Sequence, residues 1–210
     1  MSNILNDIRK CRNCVLCKNQ PPLVQQSVAA DIFWVGLSAV KIADNTEIPL
    51  SPRTNSGKLI NSIELLSPTK SFYKTNAVKC LPLKKDKIRY PSVSEMKGCY
   101  THLTTEIQHF SPKLIFLLGK QVASFVLKES GVSDVSLDAN FNYSPITIDN
   151  YTYIPIHHPS FVLVYKRKKL SNYIDSLDSM IKSIDATVVA PQQQSVSQSE
   201  QRAYSNLVCA

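Results

Sequence analysis

Four short apolar runs, each set among segments with one greasy helical face, constrain this chain more than anything else in it. The runs are DIFWVGL (31–37), SFYKTNAVKC (71–80), KLIFLLG (113–119) and YTYIPIHHP (151–159). Each is short and rich in β-branched or aromatic residues, and each reads as a strand. Around them apolar residues recur at helical spacing. Ile4, Leu5 and Ile8 mark 3–10, Leu59, Ile60, Ile63 and Leu66 mark 55–66, and Val122, Phe125 and Val126 mark 120–128. Leu170, Tyr173, Ile174, Leu177 and Ile181 mark 169–184. Residues 92–110 read as a further helix, with Ser92 or Ser94 as its N-cap. Strands alternating with helices imply an α/β fold in three layers, a central four-stranded parallel sheet flanked by helices. Ligands of such folds gather at the carboxyl ends of the strands. The unusual segments VGLSAV, TNAVKC and HHPS all fall there. One domain is expected over residues 1–185. From 186 to 210 the chain is Gln/Ser-rich without periodicity and reads as a flexible tail.

Apolar content of 43% and charged content of 19% fit a globular chain rather than a disordered one. No apolar run approaches the roughly 20 residues of a membrane span. The first residues lack the order of a secretory signal, so an intracellular, non-membrane protein is expected. The net charge of +8, from 24 basic and 16 acidic residues, suits a polyanionic partner.

The six cysteines are Cys11, Cys14, Cys17, Cys80, Cys99 and Cys209. Three within seven residues, in a chain expected to stay reduced, argue for metal rather than disulfides. Two intervening residues let Cys11 and Cys14 converge on one centre, and Cys14 with Cys17 is the alternative pair. No second tight knuckle follows, as a zinc ribbon would require. One close pair with Cys80 and Cys99 further on is compatible with a four-thiolate iron–sulfur cluster. On spacing alone, zinc and cluster both stay open. A cysteine-bound metal site, zinc or cluster, is therefore added to the expected fold, while Cys209 near the chain end reads as a small reduced hydrophobe.

Five motifs in order resemble the iron–sulfur branch of the uracil-DNA glycosylase superfamily, its family 4 and relatives. Cys11, Cys14 and Leu16 match its opening Cys-x-x-Cys and Leu. Thr75, Asn76, Ala77, Val78, Lys79 and Cys80 match its strand end, and Pro91, Glu95, Met96 and Cys99 match the segment carrying its last cysteine. SPKLIFLLG repeats its Pro-Lys strand, and His158, Pro159 and Ser160 its His-Pro-Ser motif. The likeness spans roughly residues 4–180. It implies a 4Fe–4S cluster on Cys11, Cys14, Cys80 and Cys99, with Cys17 spare and zinc the alternative. It also implies a monomeric DNA N-glycosylase that cleaves deoxyuridine in DNA and leaves an abasic site. A catalytically silent DNA-binding relative is the alternative.

The resemblance assigns roles as well. Asn76 is the uracil reader, since one amide can accept from N3–H and donate to O4 of a flipped base. His158 donates to O2 as charge develops on the leaving base, and His157 points elsewhere. Ser160 caps a helix or holds a phosphate. Phe161, Val162 and Leu163 stand where the family wedges into the duplex, or begin a buried helix. Gly36, Leu37, Ser38, Ala39 and Val40 stand in place of the family's Gly-Glu-Ala-Pro-Gly, so its water-positioning carboxylate is absent. Other branch members also carry Leu there. Pro49 and Leu50 fall on the family's Pro-Phe pair, leaving Leu50 to pack the base without an aromatic face. Gly36, Leu37, Leu50 and Ser160 join Asn76 as expected substrate contacts, and Asp44, with Glu47 beside it, is the candidate replacement carboxylate. Residues 51–57 lack the basic, His-bearing loop of the covalently linking relatives, so covalent capture is not expected. Two basic groups, Lys79, Lys84, Lys85, Lys87 and Arg89, and Lys166, Arg167, Lys168 and Lys169, flank this mouth where phosphates would run.

Overall fold

In chain order the elements are α1 (Ile4–Arg9), β1 (Ile32–Ser38), α2 (Asn55–Glu64), β2 (Phe72–Val78), β3 (Leu83–Lys84) and β4 (Lys87–Ile88). They continue with α3 (Val93–Phe110), β5 (Leu114–Leu118), α4 (Lys120–Glu129), β6 (Ile146–Ile148), β7 (Tyr151–Ile156), α5 (Pro159–Tyr165) and α6 (Leu170–Ala186). The structure, a computed structural model, describes residues 4–44 and 46–186. The expected tail lies, from 187 on, outside the described residues, as does Cys209.

The sheet runs β2-β1-β5-β7-β6. The four expected strands pair in parallel, and α/β layering follows as the alternation requires. A fifth strand corrects the expected count: β6 pairs antiparallel with β7 at the sheet edge. Three residues are too few to carry a periodic signal. The two-residue connection Asp149–Asn150, with Asp149 at φ 52°, was the readable hint of a hairpin. A second small hairpin, β3–β4, turns through Lys85 and Asp86, both at positive φ.

Side chains alternate across the sheet and divide the core in two. Phe33, Val35, Tyr73, Ile115 and Leu117 face α3 and α4, with Leu5 and Ile8 of α1 joining them. Ile32, Trp34, Phe116, Ile154 and Ile156 face α2, α5 and α6. Tertiary burial makes α2 a helix. Two Asn, two Ser and Gly57 in its ten residues each cost roughly 0.5–1 kcal/mol against alanine. Burial of Leu59, Ile60 and Ile63, about 1.5–3 kcal/mol each, outweighs that. By contrast α3 starts on local chemistry. Ser92 accepts from the Glu95 N–H while the Glu95 carboxylate accepts from the Ser92 N–H, closing a capping box. Arg89 grips the same carboxylate at 2.6 and 2.7 Å and, as the largest cause, draws its pKa down to about 2. Arg89 is thus spent on the helix start and leaves the expected set of phosphate contacts.

Candidate functional site

Gly36 of β1 and Asn76 of β2 are register partners at the carboxyl edge of the sheet. Asn76 is 3% exposed, and its side-chain amide makes no hydrogen bond among the described residues. A methyl group on Gly36 would collide with Asn76 Oδ1, so only glycine leaves that amide in place. Leu50 Cδ2 closes the same spot, 3.6 Å from where that methyl would stand. Leu50 holds φ at 52°, a strained conformation for a branched residue. The carbonyls of Leu50 and Ser51 press onto Gly57 of α2, where no Cβ fits, and that contact holds the loop. Three expected contacts, Gly36, Leu50 and Asn76, therefore meet. Leu37 does not join them: strand alternation sends its side chain to the opposite face, against the α3–α4 core.

The strand bearing Asn76 is an edge strand, the position least restrained by its own ladder. Buried ion pairs pin it from both faces. Lys74 meets Glu64 of α2 at 2.7 Å. On the other face Lys79 Nζ meets Glu106 of α3 at 2.5 Å and donates to Thr75 Oγ1 at 2.6 Å, while Tyr73 Oη and Thr75 Oγ1 donate to the Glu106 carboxylate, each at 2.9 Å. Burial first, then Glu106, drives the Tyr73 hydroxyl far above its ordinary value. Lys79 is fully buried here and is no phosphate contact, which corrects its expected role. No motif marks Glu106. Its signal was a lone carboxylate within the stripe of Leu103 and Ile107.

His158 leaves β7 and forms the N-cap of α5. Its Nδ1 accepts from the Ser160 N–H at 3.1 Å and lies 2.8 Å from Ser160 Oγ. A backbone N–H can only donate, so Nδ1 is the acceptor and the neutral ring carries its proton on Nε2. Burial lowers the pKa of His158 and keeps the ring neutral. The side chain thus offers one aimed N–H donor, and Ser160 is committed to holding it. His157 donates its backbone N–H to the Tyr143 hydroxyl at 3.2 Å, has Nδ1 2.9 Å from that oxygen and stacks on Phe161, as a supporting residue would. Phe161, Val162 and Leu163 form the first turns of α5. Val162 is buried, and the exposed apolar row is Phe161, Val164 and Tyr165.

The Asp44 carboxylate is engaged by Arg53 at 2.8 Å and accepts from the Thr46 N–H at 2.9 Å. The Thr46 hydroxyl and then Arg53 hold its pKa near about 2. Glu47 meets the same guanidinium at 3.0 Å. Both carboxylates staple the loop that carries Leu50. Gln20, buried and unmarked by any motif, braces the start of that loop by donating to Val40 O and accepting from the Ile42 N–H, each at 3.1 Å. Of the basic groups, Lys84, Lys85, Lys87, Arg167 and Lys168 stay exposed, while Lys169 donates to Asn140 at 2.6 Å.

Cys11, Cys14, Cys17, Cys80 and Cys99 line one cavity of about 40 Å³ together with Lys79 and His102. Burial, then the neighbouring sulfurs of Cys99, Cys14, Cys11 and Cys17, pushes the Cys80 thiol up to about 12. The Lys79 N–H donates to Cys99 Sγ at 3.3 Å, and Cys17 donates to the Cys14 carbonyl at 3.0 Å. Among the described residues no three His, Cys, Asp or Glu groups close on a single point where an ion would sit.

The model of the Uracil DNA glycosylase superfamily matches residues 24–180. The chain belongs to that superfamily. Asn76, His158, Leu50 and the sheet edge that gathers them lie inside the matched span, whereas Cys11, Cys14 and Cys17 precede it. No curated protein matches the chain. Among solved structures it is similar to wild-type SMUG2 of Pedobacter heparinus, at 15% identity and a TM-score of 0.53, over 75% of this chain and 77% of that one. At that identity the likeness is one of fold. Among the described residues no helix is long and apolar enough to cross a membrane.

Proposed function

We propose that this superfamily member is a uracil-DNA glycosylase, a monomer that hydrolyses the N-glycosidic bond of deoxyuridine in DNA to leave an abasic site. The observation that carries this is Asn76, 3% exposed and packed against Gly36 and Leu50 at the carboxyl edge where α/β folds bind ligands. A flipped uracil supplies what the amide lacks, an acceptor at O4 and a donor at N3. Cytosine presents the reverse pair, which an amide held in one orientation rejects. As the bond from C1′ to N1 breaks, its electron pair moves into the uracil ring and onto O2. The neutral His158 donates from Nε2 to that oxygen, and water adds to C1′ and releases a proton. Leu50 packs the base, while Lys84, Lys85, Lys87, Lys166, Arg167 and Lys168 meet phosphates.

Cys11, Cys14, Cys80 and Cys99 hold a 4Fe–4S cluster in this reading, with zinc the alternative. When bound, it supplies thiolate cross-links joining the N-terminal segment to β2 and α3. Their clustering around one cavity, with Cys17 turned to a carbonyl, supports that ligand set.

The test is a labelled uracil-containing oligonucleotide incubated with excess protein, then with alkali. Cleavage at uracil by the wild type, lost in Asn76→Asp, is expected. A carboxylate accepts from N3–H but cannot donate to O4. One observation favours the second reading, a silent DNA-binding relative. Leu37 replaces the family carboxylate, and Asp44 and Glu47 are both engaged by Arg53. Tight DNA binding without an alkali-labile product would establish it.

A further inference from the structure

We propose that His102 is part of the cysteine site, its Nε2–H donating to a sulfur of the metal-bound shell. This rests on the reading of Cys11, Cys14, Cys80 and Cys99 as ligands. His102 Nε2 is buried and has no hydrogen-bond partner among the described residues. It lies on the wall of the same cavity as the five cysteines. It follows Cys99 by three residues on α3, a spacing that sets both side chains on one helical face. The other polar group nearby, Glu106, is one turn further along and is already taken by Lys79, Thr75 and Tyr73.

A buried ring nitrogen left unpaired needs a reason. No cysteine sulfur among the described residues stands within hydrogen-bond reach of it. Metal-bound thiolates carry concentrated negative charge and accept readily, so loading the site supplies the missing partner. The site already contains one such donor, the Lys79 N–H on Cys99 Sγ at 3.3 Å. His102 adds a second from the same helix as Cys99. Groups that hydrogen-bond a ligating atom fix its orientation and hold the metal more firmly.

The test compares wild type, His102→Phe and His102→Gln, purified without oxygen and analysed for iron, sulfide and zinc. Each is then exposed to excess chelator while metal release is followed by absorbance. All three should carry the same metal as isolated. His102→Phe should release it on the order of 10–100 times faster, the usual cost of removing such a donor. His102→Gln keeps an N–H at similar reach and should recover most of the difference. Equal release from wild type and His102→Phe overturns the inference and leaves the cysteine assignment standing. Metal-free His102→Phe and His102→Gln beside a loaded wild type would make His102 a ligand and overturn the donor role. A wild type with no bound metal would remove the ligand assignment itself.

Discussion

Substituting His158 by asparagine and by alanine separates its two jobs, because each nitrogen of the ring does one. Nδ1 caps α5 through the Ser160 N–H at 3.1 Å, and in the proposed function Nε2 donates to the leaving base. Asparagine places its Oδ1 where Nδ1 stands and is among the best N-caps, but it has no donor at the position of Nε2. Alanine removes both groups. Loss of one preorganised donor to a developing oxyanion costs about 10²–10³ in rate, or roughly 2.7–4 kcal/mol. Loss of the cap costs about 1 kcal/mol of stability, which for a chain of this size is a fall of about 2–4 °C in Tm. His158→Ala should show both losses. His158→Asn should show the full rate loss in single-turnover excision with a Tm near wild type. A wild-type rate in His158→Asn would refute the leaving-group role. An unchanged Tm in His158→Ala would refute the cap.

Burial lowers the pKa of His158 below 6.5, so its contribution to stability is complete above pH 6.5 and is lost as pH falls from there through the lowered folded value. Thermal melts should decline in that window in wild type and less in His158→Asn. A second decline below about pH 4.5 should follow Glu95, whose folded value is about 2. Gly36→Ala would push a methyl into Asn76 Oδ1 and should abolish uracil excision while circular dichroism keeps the folded spectrum; unimpaired excision would clear Asn76 of the reading role. Glu106→Gln leaves Lys79 charged and buried without its counter-ion and should cost about 3–5 kcal/mol in denaturant unfolding.

Much of the fold was legible because period reports burial. The runs at 31–37 and 113–119 became β1 and β5, and Ser92 became the cap its type favours. Strand β6 escaped because three residues hold no period. The positions of the candidate site were legible where a residue type has few other uses: an Asn at a strand end that meets Gly36 and Leu50, a His before Pro-Ser, and cysteines with two residues between them that share one cavity with Cys80 and Cys99. The site was misjudged where a charge has many uses. Lys79 and Arg89 carry the same side-chain chemistry as a phosphate contact, yet one is sealed against Glu106 and the other clamps Glu95.

The sequence by itself determined which segments are strands and helices, and that their alternation makes a parallel sheet whose carboxyl edge gathers Gly36, Asn76 and His158. Those properties follow from spacing along the chain. Only the tertiary structure decided that Leu37 turns from that edge, that Asp44 serves Arg53, and that His102 lines the cysteine cavity without a partner for Nε2 among the described residues. Each depends on which groups from distant segments share a few ångströms of space, and a charge or a ring nitrogen acquires its role from the neighbour it meets there.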